Sequence, residues 1–421
     1  MIRRLAIAAA LSLLVASGGL AQERTLNILS HAVHKRVAHG EGDTSQGGDI
    51  AGEWAARNNV ALNWITLNVD PIHDRLLREL ALGETSIDLA FIVNSRFTPL
   101  LLEGLEPLGA LADGAAVDDA EGIAEGLRRP VTIDGDLVGI PYRHTTNALI
   151  YNEAILAERG YAAPPQTIDE LIEMAKGLTF ARDDGTRVYG LTFLGTASAT
   201  PLNFVGGFGA TYIADDLSVK ANTPEMVAAL AALADLFASG ALPPNITTSN
   251  LDDLIAMMAS GQAAMAINPF ARYEALNDPA ASVEAGNIKV APFPATAPGS
   301  SFANTEFWSM AIPRNSTNKD LALSLIQELA RPDNTIRAAL NGNGSVRPSD
   351  YADPRVVDYL PYAAAEGAAL GNLEVTIPAF GRTAQAATLF IEEFQAAMLG
   401  IKSPEQAAAD LQTRAEELVP R

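Results

Sequence analysis

The chain has 421 residues, with 29 Lys and Arg against 50 Asp and Glu, a net charge of −21 and no cysteine. An acidic balance without a basic patch excludes nucleic acid as a partner, because the phosphates would be repelled. The missing thiol excludes disulfide staples, cysteine catalysis and a lipid carried on an N-terminal cysteine, and 48% hydrophobic content over this length exceeds one core and implies two domains.

In chain order, Arg3 and Arg4 precede an uncharged apolar run, Leu5 to Val15, and small residues lead to Ala21. This is the order of a secretory signal peptide over residues 1–21, and the run is too short to span a bilayer. No later run is long and uncharged enough for a membrane helix. The expectation is a soluble, unanchored chain in the periplasm.

Leu26 to Leu29 reads as a buried strand, Ile50 to Arg57 as a helix, and Val60 to Leu67 as a strand. Ile72 to Leu82 reads as a helix stopped by Gly83, and Ile87 to Val93 as a near-continuous apolar strand. That β-α-β-α-β alternation predicts a mostly parallel sheet covered by helices. Ligands bind such sheets at the loops after strand carboxyl ends, here His31 to His39, read as a mobile loop, and Asn94 to Phe97.

Asp134-Gly135 between β-prone runs predicts a hairpin, and Pro141 holds Ile140 extended. Thr167 with Glu170 has capping-box spacing. Thr223-Pro224 opens a helix striped by Met226, Leu230, Leu233 and Phe237, and Ser403-Pro404 opens another near the end. Pro292 to Ser301 reads as a loop.

Three ordered segments resemble one family. They are DGDLVGIPY (134–142) leading through LIYNE (149–153) to PPQTIDEL (164–171), then MASGQAAMAI (258–267), and AIP (311–313) through Asn318 to GSVRP (344–348). This pattern is similar to family 1 extracellular solute-binding proteins of ABC importers, the group that includes maltose-binding protein. The resemblance implies a type II periplasmic-binding-protein fold of two α/β lobes joined by three hinge crossings. It places residues 22–145 plus 294–335 in lobe 1 and residues 146–293 plus 336–421 in lobe 2. The crossings fall near Arg143 to Asn147, Ile288 to Phe293 and Arg331 to Gly344. It also implies an ABC permease in the inner membrane as partner, a monomer, and no cofactor.

The resemblance assigns the ligand cleft to Asn94 and Arg96 after the IDLAFIV strand and to Arg143 and Thr145 in the first crossing. Phe270 stands where the family often carries an aromatic facing the ligand. Asn304, Glu306 and Trp308 follow the return crossing, Arg347 follows the third, and His34 belongs to the first loop. Only 6% of residues are aromatic, and Thr145 stands where the family has a carboxylate, so a small carbohydrate or polyol is expected rather than a long oligosaccharide. The arginines leave room for an anionic ligand.

Other chemistry has weaker support. His31, His34 and His39 match no metal-ligand spacing. No G-x-S-x-G elbow and no phosphate-binding glycine motif occurs. A secreted hydrolase using a carboxylate pair is the alternative that composition leaves open.

Overall fold

A computed structural model describes residues 24–42 and 44–420; the expected signal peptide lies outside the described residues. The strands are β1 Arg24–Ser30, β2 Val60–Thr66, β3 Leu89–Val93, β4 Thr132–Ile133, β5 Asp136–Leu137 and β6 Ile140–Asn152. They continue with β7 Phe180–Ala181, β8 Arg187–Phe193, β9 Ala263–Pro269, β10 Ile288–Ala291, β11 Ala303–Ala311 and β12 Leu373–Glu374.

The opening alternation is as expected. Helices Ile50–Asn58 and Val69–Leu80 connect β2, β1 and β3, and β1 pairs in parallel with both neighbours. All five residues of β3 are buried, which explains why it reads as an unbroken apolar run. Asp134 and Gly135 both have positive φ, 52° and 86°, the backbone of a two-residue hairpin turn between β4 and β5.

The main sheet runs β2-β1-β3-β11-β6-β9-β8-β7, with β10 also on β6 and β12 on β11. Strand β6 organises the molecule. Its first half pairs antiparallel with β11, and its second half with β9 and β10. Apolar side chains gather accordingly. One cluster takes residues from Leu26 to Ala148 and from Ala303 to Leu373, with Phe270. Another takes residues from Leu149 to Phe293 and from Phe380 to Ala415. Strand β6 thus passes from one cluster into the other between Ala148 and Leu149.

Two sequence expectations change. Residues 32–39 form a helix, not a mobile loop: His31 caps it by accepting from the Val33 N–H, Gly40 closes it at φ 61°, and Val37 and Ala38 bury its inner face. The flanking glycines suggested a loop, but the short apolar stripe decides the local structure. Residues 338–373, expected with the second lobe, contribute Ala338, Val346, Tyr351, Val356 and Leu370 to the first cluster. The chain returns to the second cluster between Leu373 and Phe380, well after the Arg331–Gly344 stretch.

Candidate ligand-binding site

Side chains alternate across a strand, so residues two apart share a face. In the β6/β11 ladder Thr145 stands opposite Glu306 and Arg143 opposite Trp308. One face therefore carries Arg143, Thr145 and Asn147 from β6 with Asn304, Glu306 and Trp308 from β11. The Asn147 and Asn304 amides both donate to the Ala199 carbonyl, at 3.2 and 2.8 Å, which fixes that end of the face against helix Ala199–Gly207. Along this face the character changes from neutral amide to carboxylate to cation.

The other face of the ladder is closed. His144 Nδ1 meets Thr146 Oγ1 at 2.8 Å, Thr146 meets Thr305 at 2.9 Å, and His144 Nε2 meets the Tyr351 hydroxyl at 2.9 Å. Burial drives His144 down to about 3, so it is neutral, and the Glu366 carboxyl 3.8 Å away is raised by burial to about 7. Phe307, between Glu306 and Trp308, packs edge-on against Phe97. The ladder separates an internal network from a floor on which Glu306 is exposed and Arg143 and Thr145 are half-buried, with Asn147, Asn304 and Trp308 buried at its ends. Register slips only between Trp308 and Ser309, beside Pro141, which has no N–H to give the ladder.

Solvent reaches Glu306, yet surrounding protein raises its carboxyl; the Ser95 hydroxyl donates to it at 3.0 Å. Arg143 is half-buried. Its Nη1 donates to the Gly342 carbonyl at 3.0 Å and to Asn343 Oδ1 at 3.2 Å, and burial lowers its basicity first, with Arg36 adding to the effect. The Trp308 ring lies 6.2 Å from the ring of His31 and 4.6 Å from that of His34. Helix Thr383–Met398, from the second cluster, packs on the Asn94–Arg96 turn.

The structure thus brings Arg143, Thr145, Asn304, Glu306 and Trp308 onto one face, with Asn94 and Arg96 at its border. Asn94 acts on position: its Oδ1 accepts from the Phe307 N–H at 2.7 Å. Arg96 is partly exposed and ion-paired with Asp70 at 2.7 Å. Three assignments are corrected. His34 is fully buried, stacked on Phe91 at 4.6 Å and bonded to Ser30 Oγ, and burial lowers its basicity strongly. Phe270 is fully buried and stacked on Tyr362, because Pro269 turns the chain into the first cluster. Arg347 is fully buried, held by Asp119 at 2.7 Å and by the carbonyls of Asp118, Asp119 and Ala330. No group of three or more His, Asp or Glu among the described residues is placed to hold a metal. His31, Arg36 and Asn147 escaped selection, although the period-2 spacing of Arg143, Thr145 and Asn147 signals the last.

A groove of about 920 Å³ lies between residues 121–129, 202–215 and 370–376. Its charges satisfy one another, Arg129 with Asp215 and Glu374 and Arg128 with Glu121. The ladder face keeps a carboxylate and a guanidinium available, and is the better candidate.

The profile of the bacterial extracellular solute-binding protein family matches residues 47–336. A probable ABC transporter-binding protein of Deinococcus radiodurans is 28% identical over 239 residues, 55% of this chain; the match spans about half of that relative, 56%. A probable amino-acid ABC transporter periplasmic-binding protein of Sinorhizobium fredii is 24% identical over 88% of this chain and 86% of its own length. An erythritol/L-threitol-binding protein of Mycolicibacterium smegmatis is 27% identical over 70% of this chain and 65% of its own. Among solved structures, maltose-bound T. maritima MalE3 superposes with a TM-score of 0.74 at 22% identity, covering 94% of this chain and 100% of that one. A ribitol-bound solute-binding protein of Agrobacterium radiobacter K84 superposes with a TM-score of 0.74 at 18% identity, covering 94% and 99%. No helix among the described residues is long and apolar enough to cross a membrane. With the profile spanning most of the chain and the two-lobed α/β fold shared with these structures, the protein belongs to the family of bacterial extracellular solute-binding proteins.

Proposed function

We propose that the protein captures a small carbohydrate or polyol on the β6/β11 face and delivers it to the permease of an ABC importer, working as a monomer outside the cytoplasmic membrane. The observation that carries this reading is the single polar face formed by Arg143, Thr145, Asn147, Asn304 and Glu306, on strands that run between the two apolar clusters. Amide, hydroxyl and carboxylate groups match sugar hydroxyls. The erythritol/L-threitol-binding relative and the ribitol-bound structure support this ligand class.

We take the two clusters as the cores of two lobes, residues 24–148 with 303–373 and residues 149–293 with 380–420. The ligand selects the closed arrangement because it touches both lobes. The face presents one carboxylate, Glu306, where hydrolysis by a carboxylate pair uses two, and this favours binding without turnover.

Thermal-shift screening over sugars, polyols, sugar acids and amino acids, followed by calorimetry, tests the reading. At least one sugar, polyol or sugar acid raises the melting temperature and is recovered unaltered. Glu306→Ala weakens that ligand by roughly 10- to 100-fold, the worth of a charge-assisted hydrogen bond, without lowering the melting temperature of the free protein. Turnover of a glycoside, or wild-type affinity in Glu306→Ala, would remove the assignment.

A further inference from the structure

Resting on that reading, we infer that the ligand is a sugar acid, a hydroxylated chain or ring ending in a carboxylate, whose acid group sits on Arg143 while its hydroxyls lie over Thr145 and Glu306.

Arg143 is the only charged residue at its end of the floor. One terminal nitrogen serves two neutral acceptors, the Gly342 carbonyl and Asn343 Oδ1, and no carboxylate lies within ion-pair distance among the described residues. A half-buried guanidinium without a counter-ion is poorly solvated and gains from an anion that presents two oxygens to its planar donors. The chain carries 50 acidic side chains, and two other buried or half-buried arginines each take one: Arg347 holds Asp119 and Arg337 holds Glu53. At Arg143 the nearby charge is of the wrong sign. Arg36 on helix Ala32–His39 lies close enough to lower its basicity. His31, at the start of that helix, is made less basic by partial burial and by Arg143. Glu366 also acts on Arg143, but from the closed face, next to His144.

The rest of the floor calls for hydroxyls. Glu306 is the diagonal neighbour of Arg143 across the ladder, roughly 7 Å away between α-carbons. It already accepts from the Ser95 hydroxyl, so its remaining oxygen sites meet ligand hydroxyls. Thr145, directly opposite Glu306, adds a neutral hydroxyl, which favours a hydroxy acid over an amino acid. From Arg143 to Asn147 the floor spans roughly 13 Å, enough for one monosaccharide acid and too short for several sugars in a row.

Calorimetry with the full chain and matched pairs tests this: D-gluconate with D-sorbitol, D-galactonate with galactitol, D-glucuronate and D-galacturonate with the parent aldoses, and L-threonate with L-threitol, beside L-glutamate and L-alanine. One acid is expected to bind at least about tenfold tighter than its neutral partner. Arg143→Gln removes that preference by weakening the acid more than its neutral partner, and Arg143→Lys restores part of it. Should the Arg143 variants fold poorly, Arg36→Gln, at an exposed site, reduces the acid preference without touching the floor. Tighter binding of the neutral partners, or of an amino acid, overturns this inference. In the first case the carbohydrate reading stands. Binding of none of these probes overturns both.

Discussion

His144 and Glu366 show how a buried residue sets conditions for the whole chain. The Glu366 carboxyl sits at about 7 in the folded protein against 4.5 when unfolded, because burial penalises its charge. Folding therefore takes up a proton between those values. The stability this group supports is complete below 4.5 and is lost as pH rises through 7. His144, pushed down to about 3, acts in the opposite sense: its contribution is lost as pH falls from 6.5 towards 3. Glu366→Gln removes the alkaline loss alone. Relative to the parent, this variant is expected to be more stable at pH 8 than at pH 5 by roughly 2–3 kcal/mol, measured by urea unfolding at both values. An equal difference at the two pH values would show that Glu366 ionises normally.

At the scale of elements, the site depends on how the 342–345 loop meets β6. A β-carbon on Gly344 would lie 2.4 Å from the His144 carbonyl, and the His144 N–H in turn donates to the Gly344 carbonyl at 3.2 Å. Gly344→Ala must push the loop away and carry with it Gly342 and Asn343, the acceptors of Arg143. The expected outcome is a loss of about 1–3 kcal/mol in stability together with weaker ligand binding, read by denaturant melts and calorimetry. Unchanged values in both would show that the contact is loose. Much at this scale was legible in the sequence. Buried parallel strands read as apolar runs, the Asp134-Gly135 turn named its own backbone, and Thr167 caps its helix by accepting from the Glu170 N–H. What stayed hidden depends on tertiary partners. Nothing local to Arg347 distinguishes a clamp on Asp119 from a ligand contact, and nothing local to Phe270 shows that Tyr362 will cover it. The three corrected residues, His34, Phe270 and Arg347, are all fully buried, and each is covered by at least one residue from far along the chain: Phe91 and Trp308, Tyr362, and Asp119. Arg143, Thr145, Asn304, Glu306 and Trp308 were assigned through the family resemblance, and strand alternation, which is local, explains why they share one face.

At the scale of the molecule, the charged tie between the clusters is weak. Arg129 follows the Leu127 region of the first cluster, and Asp215 follows Ile213 of the second; their ion pair at 3.0 Å is exposed on both sides. Such a pair is worth about 0–1 kcal/mol, too little to hold the lobes at one angle. Saturation with ligand should therefore reduce the radius of gyration in small-angle scattering while the far-ultraviolet circular dichroism stays constant. A constant radius at saturation would count against closure. The alternating ladder also constrains how this protein can change over generations. On the proposed reading Arg143, Thr145 and Asn147 face the solute while His144 and Thr146 hold the buried network, so solute preference can drift by substitution at those three positions with the network intact. Insertion or deletion of one residue within β6 would exchange the two sets, turning His144 outward and Arg143 inward. Length variation among descendants of this chain should therefore fall in the loops, and these two strands should keep their residue count while their cleft-side chemistry diverges.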